Sequence, residues 1–200
     1  MVAVLTAFSA TAESEPGRIA LALTRKDPDL IGELVAQYHY RLLRYLVYLT
    51  SRRETAEDLI QETWLRVLES GAQYNGRSRF EPWLLSIARN LAIDHLRRRQ
   101  RAARGETDTP DAAAVLEIPS ADRDSPFLAA ARSEDAERIA SAMAALEPIY
   151  REALLLRFQE DLSLAEIAEI TGDPVPTISS RIQRGLAALR SRLEGGAHAI

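Results

Sequence analysis

Helical period is the constraint this chain states most clearly. In the stretch from Arg77 to Arg104, RSRFEPWLLSIARNLAIDHLRRRQRAAR, Pro82 suits a first helical position, where a missing N–H costs nothing. Stepping ~100° per residue from there puts Leu84, Leu85, Ala88, Leu91, Ala92 and Leu96 on one side and Trp83, Ser86, Asn90, Asp94, Arg97 and Arg101 on the other. The apolar side needs a core of neighbouring helices. The second stripe mixes an aromatic, an amide, a carboxylate and guanidiniums, which suits a nucleic acid better than water.

Charge along the same stretch sharpens this. From Arg89 onward, Arg89, Arg97, Arg98, Arg99, Arg101 and Arg104 stand against a single acid, Asp94, in a chain whose net charge is -4. Local charge, not total charge, is the relevant signal. Guanidinium forks bind phosphate bidentately, and an asparagine can pair with a base edge. The same residues also suit an arginine-rich helix end that complements its own dipole and pairs Asp94 with Arg98.

Composition narrows the chemistry. With no cysteine, thiolate metal sites, disulfides and thiol nucleophiles are excluded, and His39, His95 and His198 are too scattered for a ligand set. There is no nucleotide-binding glycine loop and no serine with partners at an informative spacing, so neither an enzyme site nor a cofactor is expected. The start, MVAVLTAFSATAES, carries an Ala10-Thr11-Ala12 reminiscent of a signal-peptidase site but lacks a basic flank. It reads as a frayed terminus of a cytoplasmic chain without membrane insertion.

Taken in order, residues 1–27 read as a tail. From Pro28, Leu30, Leu34, Tyr38, Leu42, Leu46 and Leu49 recur at helical spacing, widened by Ile31, Val35 and Tyr45. Thr55 with Asp58 gives a capping signature for a second helix, which buries Leu59, Ile60, Trp64, Val67 and Leu68 and leaves Asp58, Gln61, Glu62 and Leu65 away from the core. Gly71 ends it. The loop Tyr74-Asn75-Gly76 leads through Arg77, Arg79 and Phe80 into the basic helix, so an aromatic-and-arginine surface could stack unpaired bases; Phe80 and Trp83 equally suit a core. A first helical domain thus spans 28–101, and the acidic, proline-bearing stretch 102–132 reads as a linker in which Val115–Ile118 and Phe127-Leu128 could dock.

A second domain spans 133–194, followed by a tail, 195–200. One helix runs to about Ala145, and Pro148 opens another. Ser163 and Glu166 form a capping box for SLAEIAEIT, Gly172–Pro176 turns, and TISSRIQRGLAALRSRL makes the last helix. There Ile178, Ile182, Leu186, Leu189 and Leu193 share the buried face; Thr177, Ser180, Arg184 and Ser191 lie opposite, with Arg181 at the flank. This is the make-up of a recognition helix, although basic helical pairs also occur in protein-binding modules. The expected fold is all-α: an N-terminal helical bundle and a C-terminal helix-turn-helix four-helix domain.

The runs TAEDLIQETWLRVLE, GRSRFEPWLLSIARNLAIDHLRRR and ALEPIYREALLLRFQEDLSLAEIAEITGDPVPTISSRIQRGLAALR closely resemble the extracytoplasmic-function group of bacterial sigma factors, over about Asp29 to Leu193. The resemblance implies a subunit that joins RNA polymerase core and directs it to promoters. It implies that Asp58, Gln61, Glu62 and Leu65 meet the coiled coil of the largest polymerase subunit, and that the flap of the core is a further contact. It places Asn75, Arg77, Phe80, Trp83, Asn90, Asp94, Arg97, Arg98 and Arg101 at the melted minus-ten element, and Thr177, Ser179, Ser180, Arg181 and Arg184 at the minus-thirty-five element. An anti-sigma factor is expected as regulator. Ser179, Pro176 and Asp173 depart from the common pattern, which suggests a weaker or different upstream preference. The alternatives are a stand-alone helix-turn-helix repressor or activator, in which the acidic face has no job, and a helical interaction module, which leaves both arginine surfaces unexplained.

Overall fold

The structure is a computed structural model that describes residues 14–104 and 134–195, and every regular element among them is helical. Helix α1 (Glu15–Arg25) starts at Ser14, whose side chain accepts from the Gly17 N–H, and closes at Lys26 in the left-handed region. The reading of 1–27 as a tail therefore fails over 15–25. The reason is a short stripe of Ile19, Ala22 and Leu23 that is buried, with the helix seated on the helical turn Gly71–Gln73.

Helix α2 (Pro28–Thr50) opens under Asp27, whose carboxylate accepts from the N–H groups of Asp29 and Leu30. Its predicted stripe is buried through Leu34, Tyr38, Leu42, Tyr45, Leu46 and Leu49. Helix α3 (Arg53–Ser70) begins earlier than the Thr55 signature indicated and has no side-chain cap. The turn before it is made instead by left-handed Ser51 and by the Thr50 hydroxyl, which accepts from the Arg52 N–H. Helix α4 (Phe80–Arg104) likewise starts two residues ahead of Pro82.

After the undescribed residues 105–133, on which most of the expected linker and its docking segments fall, come α5 (Glu134–Ala144) and α6 (Pro148–Leu154). A wide turn, Leu155–Gln159, follows, then α7 (Leu164–Thr171) and α8 (Val175–Gly195). Helix α7 has the expected capping box: Ser163 accepts from the Glu166 N–H, and Glu166 reaches back to the Ser163 N–H at 2.7 Å. Helices α2, α3 and α4 pack on one another, α6 and α7 pack on α8, and α4 also packs on α7, so the two helical groups touch.

In α8 the buried face drifts from the expected one. Ile178 and Ile182 are buried, but Leu186 is 40% exposed. Gly185 takes the inward place, so close to α6 that a Cβ there would lie 3.1 Å from the Leu154 side chain. A 3.6-residue period alternates steps of four and three, and a glycine that admits a neighbouring helix is invisible to a count of apolar residues.

Gly76 fixes the loop before α4. Its φ is +66°, and a Cβ would lie 2.9 Å from the Pro16 carbonyl oxygen of α1. Left-handed strain in a non-glycine residue costs about 1–3 kcal/mol even without a clash. Gly76→Ala is therefore expected to destabilise the full chain by at least that much in urea unfolding. Gly32→Ala, in α2 with no atom within 4 Å of its Cβ position, should instead stabilise it by about 0.5–1 kcal/mol.

Candidate functional site

Helix α3 turns Ala56, Leu59, Ile60, Thr63, Trp64 and Val67 inward. The remaining face presents Asp58, Gln61 and Leu65 to solvent, with Glu62 half-buried beside them. Leu65 is 61% exposed. A large aliphatic side chain standing in an acidic surface is a feature a protein partner can use, because its burial is released only on contact.

The loop and α4 separate the predicted aromatic residues from the polar ones. Phe80 and Tyr74 are buried, 1% and 3% exposed, which corrects the expectation that Phe80 lies on the nucleic-acid surface. The cause is an aromatic cluster: the Phe80 ring lies 5.4 Å from Tyr38, 5.4 Å from Tyr74 and 5.6 Å from Trp83. Burial of that much ring area outweighs any single stacking contact with a base. Trp83 remains half-buried, and the Tyr74 hydroxyl donates to the Ser78 carbonyl at 2.6 Å. Burial, with Glu81 and Glu15 nearby, pushes that hydroxyl up to about 12.

Asn75 and Arg77 are exposed, the Asn75 side-chain oxygen accepting from the Arg77 N–H at 2.9 Å. Along α4, Asn90, Asp94 and Arg98 are exposed, while Arg97 and Arg101 are half-buried. Asp94 lies 3.9 Å from Arg97 rather than pairing with Arg98, a loose i,i+3 contact. The predicted outer stripe is thus present as a surface, with Asn90, Asp94 and Arg97 in succession.

One group of residues was not anticipated. Glu152 and Glu160 are buried, 3% and 0% exposed, and both are held by side chains of the first helical group. Glu160 accepts from the Arg41 Nε at 2.8 Å and also pairs with Arg44. Glu152 accepts from the Tyr45 hydroxyl at 2.9 Å and from the Arg89 Nε at 2.9 Å. The Tyr48 hydroxyl donates to the Pro148 carbonyl at 2.7 Å, and Arg79 reaches Asp161 and Glu166. Burial alone would lower Arg89, but Glu152 overrides it and holds the guanidinium above its ordinary value. Arg89 therefore belongs to this contact and not to a nucleic-acid stripe. The available signal was two glutamates inside the apolar run EALLLRFQE, whose partners lie too far away in sequence to name.

In α8, Thr177, Ser179, Ser180 and Arg181 are half-buried and Arg184 is exposed. Thr177, Ser180, Arg181 and Arg184 line an open groove of about 340 Å³ with Ile149, Tyr150 and Pro176. Arg181 is gripped by Asp173 through two contacts, 2.5 and 3.1 Å. Among the described residues no His, Asp or Glu cluster could hold a metal ion, and no helix is long and apolar enough to cross a membrane.

The chain thus presents an acidic face with an exposed leucine on α3, an amide-and-arginine stripe on α4, and two helices, α7 and α8, joined by a short turn with Arg184 exposed on the second. Residues 34–102 match the Sigma-70 region 2 family, and residues 136–189 match Sigma-70, region 4. The ECF RNA polymerase sigma factor BldN of Streptomyces coelicolor is 33% identical over 186 residues, 89% of this chain and 68% of that protein. SigX of Bacillus subtilis, another ECF sigma factor, is 32% identical over 165 residues, 78% of this chain and 80% of that protein. The chain belongs to the ECF RNA polymerase sigma factors, the proteins that serve RNA polymerase in transcription initiation. Among solved structures, the sigma factor RpoE in complex with the anti-sigma factor NepR from Bartonella quintana shares the fold, with a TM-score of 0.61, 23% identity and coverage of 82% of this chain and 96% of that one. CnrH in complex with the cytosolic domain of CnrY does so with a TM-score of 0.59, 22% identity and coverage of 88% and 96%.

The buried carboxylates give two expectations. Glu152→Ala leaves Arg89 and Tyr45 without their acceptor, and breaking such a pair costs about 3–5 kcal/mol; urea unfolding should register at least the lower figure, against a change within about 0.5 kcal/mol for exposed Asp58→Ala. The hydroxyls of Tyr38, Tyr45, Tyr48 and Tyr74 are all raised, first by burial. The native chain keeps these protons where the unfolded chain, titrating near pH ~10, has lost them. Their contribution is intact below pH ~10 and is lost as pH rises beyond it, and Tyr45→Phe should make that alkaline decline shallower in denaturation curves.

Proposed function

We propose that this sigma factor selects promoters with two separate DNA-reading surfaces, region 2 at the minus-ten element and region 4 at the minus-thirty-five element. The observation that carries the reading is the outer face of α4, where Asn90, Asp94 and Arg98 stand exposed above a fully apolar inner face of Leu84, Leu85, Ala88, Leu91 and Leu96. With Asn75, Arg77, Arg97 and Arg101 this face supplies donors and positive charge for a single strand, while half-buried Trp83 adds an aromatic ring beside them. Phe80 supports the loop from beneath. Strand opening draws on binding energy alone, as higher affinity for melted than for paired DNA. The polymerase performs the chemistry, and this chain is not an enzyme.

Region 4 reads the upstream element with Thr177, Ser179, Ser180, Arg181 and Arg184 on α8, the second helix of the helix-turn-helix. Small hydroxyls and guanidiniums there suit base edges and phosphates in a major groove. Asp58, Gln61, Glu62 and Leu65 form the surface for the coiled coil of the largest polymerase subunit, and region 4 meets the flap.

The minus-ten and minus-thirty-five elements lie roughly 25 base pairs apart, about 85 Å of duplex at 3.4 Å per step. Helix α4 is only about 37 Å long, at 1.5 Å per residue. Domains joined directly through Glu152 and Glu160 cannot span the two elements together, so this compact arrangement belongs to the chain off the promoter and region 4 moves away during initiation. RpoE was solved with the anti-sigma factor NepR and CnrH with the cytosolic domain of CnrY, and an anti-sigma factor is the partner this reading expects to hold the present chain in reserve.

Co-purification with bacterial core polymerase tests the docking surface. Glu62→Lys should weaken core binding at least tenfold while the thermal unfolding of the free chain stays unchanged. Equal affinity of wild type and variant would remove the α3 face from the interface.

A further inference from the structure

The contact between Asp173 and Arg181 has a geometry that solubility does not require. Asp173 stands in the turn between α7 and α8, and Arg181 lies eight residues on, two turns along α8. The carboxylate takes the guanidinium in a fork: Arg181 Nη1 to Asp173 Oδ2 at 2.5 Å and Nη2 to Oδ1 at 3.1 Å. Both side chains stay partly open, at 21% and 29% exposure. Arg181 borders the groove shared with Thr177, Ser180 and Arg184. The Asp173 backbone is anchored as well, its N–H donating to the Thr171 side-chain hydroxyl at 3.3 Å.

A free arginine on a helix surface samples many rotamers, and ordering it costs free energy at the moment of binding. A planar fork to a fixed carboxylate removes that freedom beforehand. It occupies one N–H on each terminal nitrogen and leaves Nε–H and the remaining terminal N–H groups to point elsewhere, enough for a two-point contact with a guanine edge. The same fork offsets the positive charge, so Arg181 loses much of its non-directional pull on phosphates. Arg184, exposed and without a carboxylate partner among the described residues, retains that pull.

We propose that Asp173 is a positioning residue for promoter selection: it holds Arg181 in one orientation so that this arginine discriminates bases of the upstream element instead of binding backbone. The proposal rests on the reading of α8 as the helix that meets that element. Its consequence runs against simple charge counting. Removing an acid from a DNA-facing surface increases indiscriminate binding, yet here it must also lower selectivity.

The test uses the full chain assembled with core polymerase and a promoter library varied through the upstream element, scored by transcript yield at several salt concentrations. Asp173→Asn, close to isosteric, and Asp173→Ala are each expected to reduce discrimination at one base-pair position about tenfold. Binding of the free variant chain to unrelated duplex should become tighter and more salt-dependent. In an Arg181→Ala background, Asp173→Asn should change nothing further, whereas a carboxylate that merely stabilises the turn would impose its loss in both backgrounds. An unchanged selectivity profile for Asp173→Asn, or an equal loss on every promoter, overturns the proposal. If Arg184→Ala flattens the upstream profile while Asp173→Asn does not, only this proposal fails. If Arg181→Ala and Arg184→Ala both leave the profile intact, α8 is not the reader and both readings fall.

Discussion

Two buried carboxylates decide the shape of this molecule. Glu152 and Glu160 lie within one short stretch of region 4, yet among the described residues the charged partners that keep them tolerable inside protein come from region 2: Arg89 for the first, Arg41 and Arg44 for the second. A carboxylate taken out of water needs this kind of compensation, since its attraction to a neighbour must repay a desolvation cost of several kcal/mol. Tyr45 and Tyr48 add hydroxyl donors along the same side of α2. Because such a contact is paid for by partners that water can replace once the surfaces part, it joins the domains firmly without making the union irreversible.

The contact also orders the functional surfaces. Arg89 is drawn inward from the arginine-rich helix, leaving Asn90, Asp94, Arg97 and Arg98 as the outer stripe. Helix α4 packs on α7, the first helix of the helix-turn-helix, while α8 keeps Arg184 exposed and holds the hydroxyls of Thr177, Ser179 and Ser180 half-buried beside it. Behind the loop, α1 presses against Gly76 and the Gly71–Gln73 turn, so the segment bearing Asn75 and Arg77 is braced from a part of the chain that its own sequence gives no hint of. One polypeptide thus carries three outward faces, on α3, α4 and α8, each built on the outer side of a helix whose inner side is core, and we propose that they serve polymerase docking and the two promoter elements.

Much of this was legible because helical period acts locally. The stripe of α2, the inner and outer sides of α4, and the Ser163–Glu166 box follow from neighbours three and four residues apart. What escaped was set by distance or by competition. The helix at 15–25 depends on a seat more than 40 residues downstream, and the Glu152 and Glu160 partners lie further still. Phe80 could stack on a base or on tyrosines, and only the fold brings Tyr38 within reach to decide for burial. Leu186 lost its place to Gly185 because α6 approaches closely there. The Asp173 fork could be suspected as an unusual acid beside basic residues, but its two-point geometry could not.

The central claim is that the two domains meet in the free chain and part when it serves the polymerase, and a distance measurement tests it most directly. The sequence contains no cysteine, so Glu33→Cys in α2 and Ala187→Cys in α8, both exposed positions, accept a single pair of spin labels. Pulsed dipolar spectroscopy should give one well-defined distance for the free chain and a distance longer by on the order of 30 Å or more once core polymerase and promoter DNA are bound, as two elements roughly 25 base pairs apart require. The same distance in both states would contradict the account.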